Sequence, residues 1–178
     1  MTELKSLALT DSEPGLFSFA QITHLMKVEF ARARRYRLPL AFVVVVVDRI
    51  SDLSRNFGYK ARDLVLERFH AILRREVRSC DYVGRFQDDR VLLVLPHTDA
   101  EGARVLVNRV RRAVAAQEFE FEGKAFRVTL SAGISQFRDR NTLFFDSVRD
   151  AAERAAERAS QAGDAVLVLE PAEPAAKS

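Results

Sequence analysis

Residues 84–96 read Gly84-Arg85-Phe86-Gln87-Asp88-Asp89-Arg90-Val91-Leu92-Leu93-Val94-Leu95-Pro96. The stretch predicts a β-hairpin, with one strand over Tyr82 to Phe86, a polar turn at Gln87-Asp88-Asp89-Arg90, and an apolar strand over Val91 to Leu95. Upstream, Val65, Phe69, Ile72, Leu73 and Val77 recur at helical spacing, and Arg62, Arg68, Arg74, Arg75 and Arg78 fall largely off that stripe. Before it, Leu40 to Val47 is a β-branched run without alternation, as a strand buried on both faces requires. Ile22, Leu25, Met26, Phe30 and Ala33 mark a first helix, broken before Pro39.

Downstream, Asp99 is placed to cap a helix carrying Ala103, Leu106, Val107, Val110 and Val114. Strands flank the turn Glu122-Gly123-Lys124, and Val128 to Ser135 continues in β-propensity. An Ala-rich helix over about Leu143 to Gln161 stops at Gly163, and Val166 to Leu169 reads as a closing strand. The order α-β-α-β-β-α-β-β-α-β predicts an α+β fold, a central, mostly antiparallel sheet flanked by helices. Residues 1–14 are expected to be an N-terminal extension, 15–169 one domain, and 170–178 a disordered Pro/Ala-rich tail.

The 178 residues suffice for one core without staples. A net charge of +3 tolerates anionic ligands without demanding DNA, so no nucleic-acid partner is expected. Cys80 is the one cysteine, which excludes an internal disulfide and a cysteine-rich zinc site; it reads as a small buried filler. His24, His70 and His97 show no metal-ligand spacing. No basic-then-apolar leader opens the chain, and its longest apolar run cannot span a bilayer, so the expectation is a cytoplasmic protein without membrane contact.

The hairpin resembles the signature of the GGDEF domain, the diguanylate cyclase module, over roughly residues 15–169. Phe57-Gly58-Tyr59 with Asp63, Leu95-Pro96-His97-Thr98-Asp99, and Val128-Thr129-Leu130-Ser131-Ala132-Gly133-Ile134 resemble further stretches of that family. The resemblance implies two metal ions, held by a carboxylate at position 46 and another in the signature. Here position 46 is Val46, which offers no lone pair. Asp89 falls at the signature ligand position with Asp48 nearby; they read as solvated turn and strand-end acids or as the remnant of a metal site.

The signature glycines that would admit a triphosphate are Gln87 and Asp88, and the next acid is Arg90. The guanine-reading asparagine falls at Ser54, and the second guanine contact at Asp63, which also reads as a helix N-terminal acid. The phosphate-binding lysine falls at Ser160, and a Gly-Arg-Asn ending is Gly163-Asp164-Ala165. These departures predict a degenerate domain, not an enzyme, with no catalytic residue, metal ligand or cofactor.

Arg78-Ser79-Cys80-Asp81 stands where the family carries its Arg-x-x-Asp inhibitory motif, which binds the product cyclic di-GMP. An arginine fork can donate to guanine O6 and N7 or grip phosphate, and a carboxylate accepts from guanine N1 and N2. Arg78 and Asp81 also read as a helix-end cation and a turn acid. Arg109 lies where the family has a second arginine contributed by a neighbouring domain, and it reads equally as helix-surface charge.

The expected function is a catalytically inactive cyclic di-GMP receptor, with Arg78, Asp81 and Arg109 as ligand-binding residues. Its signal would leave through a homodimer or a protein partner. The alternatives are a nucleotide-independent interaction module, in which the surface of the Ala-rich helix and flexible termini matter more, and a residual cyclase or GTP sensor using Asp48, Asp63 and Asp89.

Overall fold

The central strand β1 (Leu40–Val47) has no polar position because it is covered above and below. Residues 41, 43, 45 and 47 enter one apolar cluster, and residues 40, 42 and 44 the other. The alternation of strand side chains thus feeds two cores from one sheet. The computed structural model describes residues 15–87, 89–137, 142 and 144–172. The N-terminal extension, Asp88, the start of the last helix at Leu143, and tail residues 173–178 lie outside the described residues.

In chain order the elements around β1 are α1 (Phe19–Tyr36), α2 (Ile50–Phe57), α3 (Tyr59–Glu76), β2 (Tyr82–Arg85), β3 (Val91–Pro96), α4 (Ala100–Ala115), β4 (Phe119–Phe121), β5 (Lys124–Phe126), β6 (Leu130–Phe137), α5 (Phe145–Ala162) and β7 (Val166–Val168). The sheet runs β2-β3-β1-β6-β7, antiparallel except for the parallel β6–β7 pair. The expected α+β architecture is the observed one. Helices α3 and α4 pack on one face, α1 and α5 on the other. No helix among the described residues is long and apolar enough to cross a membrane.

Two features differ from the expected order. An additional helix, α2, precedes the expected second helix and is set apart from α3 by Gly58 at φ 84. The strands flanking Gly123 form a two-stranded sheet of their own, and β6 restarts in the main sheet. That small hairpin is held by rings. Phe57 stacks on Phe126 at 5.0 Å, Phe126 stacks on Phe119 at 5.8 Å, and Lys124 and Arg68 lie over the outer rings.

Local chemistry fixes the helix ends. Ser18 and Gln21 form a reciprocal capping box at α1, and the Asp99 carboxylate accepts the Gly102 N–H at the start of α4. The alanines of α5 are a close-packing face: Ala151, Ala152, Ala155, Ala156 and Ala159 are fully buried. A Cβ on Gly133 would lie 2.1 Å from the Ala152 carbonyl oxygen, so only glycine lets the α5 backbone rest on β6. The apolar side of that helix is therefore core, which removes it as the exposed surface an interaction module would use.

Candidate functional site

At the C-terminal end of β1 the chain gathers the β1–α2 link, the hairpin turn and the segment after α5, because β3 and β6 run antiparallel to β1. Asp48 is buried rather than solvated. Its Oδ2 accepts from Thr129 Oγ1 at 2.7 Å and from the Asp164 N–H at 2.9 Å, tying β1 to the start of β6 and to the loop after α5. Its Oδ1 is buried without a hydrogen-bond partner among the described residues. Val46, two residues earlier, is a partly buried side chain packed on the α1–α5 core.

Asp89 is not a solvated turn acid either. Both its oxygens face Arg62: Nε donates to Oδ2 at 3.0 Å and Nη2 donates to Oδ1. Asp89 sits at φ 63, a left-handed conformation that Asp tolerates better than most side chains. Arg62 stays protonated beyond its ordinary range, chiefly through the hydrogen bond it donates to Asp89, with burial opposing. Arg90 points to the other layer, where its Nη1 lies 3.3 Å from Glu153 and 3.6 Å from Glu157 on α5.

The other predicted nucleotide contacts are scattered. The Ser54 hydroxyl donates to the Ile50 carbonyl within its own helix at 3.1 Å. Asp63 is the fifth residue of α3, outside the first turn where an acid meets the helix dipole, and it pairs with Arg62 at 3.1 Å. Asp164 is engaged by Arg111 of α4, Nη2 to Oδ1 at 2.6 Å. Two open clefts divide what remains: Asp48 and Ser160 line one of about 610 Å³, Asp63 and Asp89 another of about 700 Å³. Among the described residues, no three His, Cys, Asp or Glu side chains are grouped to hold a metal ion.

The Arg-x-x-Asp segment is a tight turn between α3 and β2. Val77 leaves the helix in an extended conformation, the Asp81 N–H donates to the Arg78 carbonyl at 3.1 Å, and the Arg78 N–H donates to Asp81 Oδ2 at 2.8 Å. This cross-bonding fixes both Cα positions and leaves the Arg78 guanidinium exposed, without an ion pair among the described residues. Asp81 is half-buried. Cys80 is exposed rather than a buried filler, because the turn points it outward.

Arg109 reaches this place from α4. Its Nε donates to Glu76 Oε2 at 2.7 Å, and its Nη2 donates to the Glu76 carbonyl at the end of α3. Helix carbonyls left unpaired at a C-terminus attract such a cation. Arg109 is thereby anchored two residues from Arg78 within one chain. The sequence did not single out Glu76, Arg62 or Arg111 as partners, since each pairs with a residue 27 to 53 positions away.

Residues 8–165 match the family model described as diguanylate cyclase, GGDEF domain. The chain is 32% identical over 163 residues to the diguanylate cyclase DgcP of Pseudomonas aeruginosa, covering 92% of this chain and 24% of that protein. It is 27% identical over 116 residues to diguanylate cyclase A of Treponema denticola, covering 65% of this chain and 30% of the other. It thus spans less than a third of the length of these curated relatives.

Among solved structures, the FimX GGDEF domain of Pseudomonas aeruginosa superimposes with a TM-score of 0.81 at 23% identity, covering 89% of this chain and 98% of that one. The GGDEF domain of DgcB from Caulobacter crescentus, in complex with cyclic di-GMP, gives 0.81 at 15% identity, covering 86% and 91%. Diguanylate cyclase SiaD of Pseudomonas aeruginosa, in complex with its activator SiaC, gives 0.85 at 22% identity, covering 94% and 65%. At these identities the likeness is one of fold.

Proposed function

The chain belongs to the GGDEF family of diguanylate cyclase domains, and we propose that it acts there as a catalytically inactive receptor that binds cyclic di-GMP through Arg78 and Asp81. One contrast carries the reading. The acid at the signature ligand position, Asp89, has both oxygens turned to Arg62, whereas the Arg78 guanidinium stands exposed and unpaired among the described residues. A site already closed on itself is a poor cation trap; an uncommitted arginine fork is a ready hydrogen-bond donor to an anion.

The donor set at the substrate end does not fit a pair of divalent ions. The Val46 side chain has no lone pair to give, Asp89 is engaged, and Asp48 has one oxygen committed to Thr129 and the Asp164 N–H. Such ions require several oxygens converging at 2.0–2.6 Å or so. Ser160 stands where the family resemblance calls for a phosphate-binding lysine, and Asp164 puts an anion where the Gly-Arg-Asn ending has a cation. Each effect opposes a metal–triphosphate complex separately.

On the ligand side, Asp81 supplies an acceptor for guanine N–H groups, and Arg78 supplies the fork for O6 and N7 or a phosphodiester. The folded unit would be residues 15–169, relaying the ligand through altered contacts with a second copy or a protein partner, by differential affinity for the two states. Titration calorimetry decides between receptor and enzyme. Cyclic di-GMP is expected to give saturable heat that Arg78→Ala abolishes, and GTP with magnesium or manganese is expected to yield no guanine dinucleotide. Dinucleotide synthesis, or ligand heat unchanged in Arg78→Ala, overturns the reading.

A further inference from the structure

The side-on fork of a guanidinium, Nε with Nη2, is the edge that grips a carboxylate or a phosphate with two parallel bonds. In Arg109 that edge is in use: Nε holds the Glu76 carboxylate at 2.7 Å and Nη2 holds the Glu76 carbonyl. The remaining Glu76 oxygen, Oε1, lies 3.3 Å from Arg75 Nε. Glu76 is the last residue of α3, and Arg78, the arginine assigned to the ligand, follows two residues later in the chain.

We propose that Glu76 is an internal competitor for Arg109, so that an anionic guanine dinucleotide binding at Arg78 and Asp81 must exchange the Arg109–Glu76 ion pair for a contact of its own. This rests on the receptor reading above and adds its regulation: the resting chain holds its second arginine locked, and ligand binding opens the lock. Three observations carry it. The fork edge is occupied, the partner is anchored to α3 through both a side-chain and a backbone oxygen, and α3 runs directly into the Arg78 turn.

The charge balance points the same way. Arg75, Arg78 and Arg109 contribute three positive charges against two negative ones from Asp81 and Glu76, and removing Glu76 makes the group more positive towards a phosphodiester. The hydrogen bond from Arg109 is also the main influence holding the Glu76 carboxyl below its ordinary range, with Arg75 adding to it and desolvation opposing. Glu76 is therefore an ionised partner for Arg109 at neutral pH.

The test is calorimetric titration of cyclic di-GMP into the full chain, the Glu76→Ala and Glu76→Gln variants, Arg109→Ala, and the Glu76→Ala/Arg109→Ala pair. Glu76→Ala is expected to tighten binding by about two- to fivefold, the range that releasing a solvent-exposed ion pair allows. Glu76→Gln should show a smaller gain of the same sign with the folded-state melting temperature retained. The gain should vanish in the Arg109→Ala background, which separates Arg109 from the Arg75 that Glu76 also touches.

Binding that is unchanged or weaker in both Glu76 variants, with wild type binding normally, overturns the lock and leaves the receptor standing. A gain that persists without Arg109 overturns it too, as a general charge effect. Absence of heat in wild type and in Glu76→Ala overturns lock and receptor together. Heat in Glu76→Ala alone, lost on Arg109→Ala, is the result of a tighter lock and supports the proposal.

Discussion

Arg62 grips Asp89 with two nitrogens, joining the first turns of α3 to the tip of the signature hairpin 27 residues later. Arg90, the next residue, reaches the opposite layer at Glu153. Successive side chains of the turn thus anchor it to helices on both faces of the sheet. Arg62→Ala should release one of these anchors. With side chains 25% and 30% exposed, the pair is expected to contribute about 1 kcal/mol. Amide hydrogen exchange checks the locality: the Phe86 N–H, bonded to the Arg90 carbonyl at 2.8 Å, should lose protection before the amides of β1 do.

Asp48 predicts a different kind of loss. Asp48→Ala removes the acceptor for the Thr129 hydroxyl and the Asp164 N–H, in a position only 8% exposed. Leaving those donors unserved should cost about 2–3 kcal/mol, and Thr129→Val about 1 kcal/mol, in denaturant unfolding. Because the two residues share one bond, the double variant should fall short of the sum. Full additivity would mean that the bond contributes nothing.

Gly133→Ala is expected to be among the most damaging single-methyl additions in the chain. The new Cβ would meet the Ala152 oxygen and the Ala156 nitrogen, both at 2.1 Å, and these are backbone atoms that cannot swing away. A cost of about 3 kcal/mol or more follows, seen as a large fall in melting temperature. A variant that melts like wild type would show that α5 does not rest on β6 in solution.

Tyr82 supplies the pH dependence. Burial first, then the nearby Glu29 charge and its hydrogen bond to the phenol at 3.4 Å, raise its pKa above the ordinary 10.0. A raised folded-state value favours the native state while the phenol stays protonated. That contribution is complete below pH 10.0 and is lost as pH rises through the folded value. Ultraviolet titration should therefore show one late phenolate, absent in Tyr82→Phe. Loss of the late phase in Glu29→Gln as well would assign the carboxylate's share.

The fold was legible because its signals are local. The unbroken β-branched run of β1, the Asp99 cap and the hairpin around residues 84–96 each follow from neighbours in sequence, and each was observed. Helix α2 was not legible, because its eight residues, Ile50–Phe57, are too few to show a helical period. The site was legible in its positions but not in its partners. Sequence register placed Asp48, Asp89, Arg109 and Asp164; it could not reveal that Thr129, Arg62, Glu76 and Arg111 hold them. Those pairings join different elements, and nothing in the spacing of either partner announces them. Cys80 and Asp48 were misjudged for exposure for the same reason: the turn at 78–81 and the meeting of β1 with β6 decide it, not residue type.

The ladder of Phe57, Phe126 and Phe119 has a practical consequence. The β4–β5 hairpin shares no strand pairing with the five-stranded sheet, and its tip at Gly123 has no atom within 4 Å of where a side chain would begin. Ring stacking against α2 sets its position, so the length of the tip is decoupled from the register of every strand in the main sheet. A fluorophore or affinity peptide inserted between Glu122 and Gly123 would ride on that appendage. It would give the domain a reporter handle that leaves the pairing of the five-stranded sheet untouched.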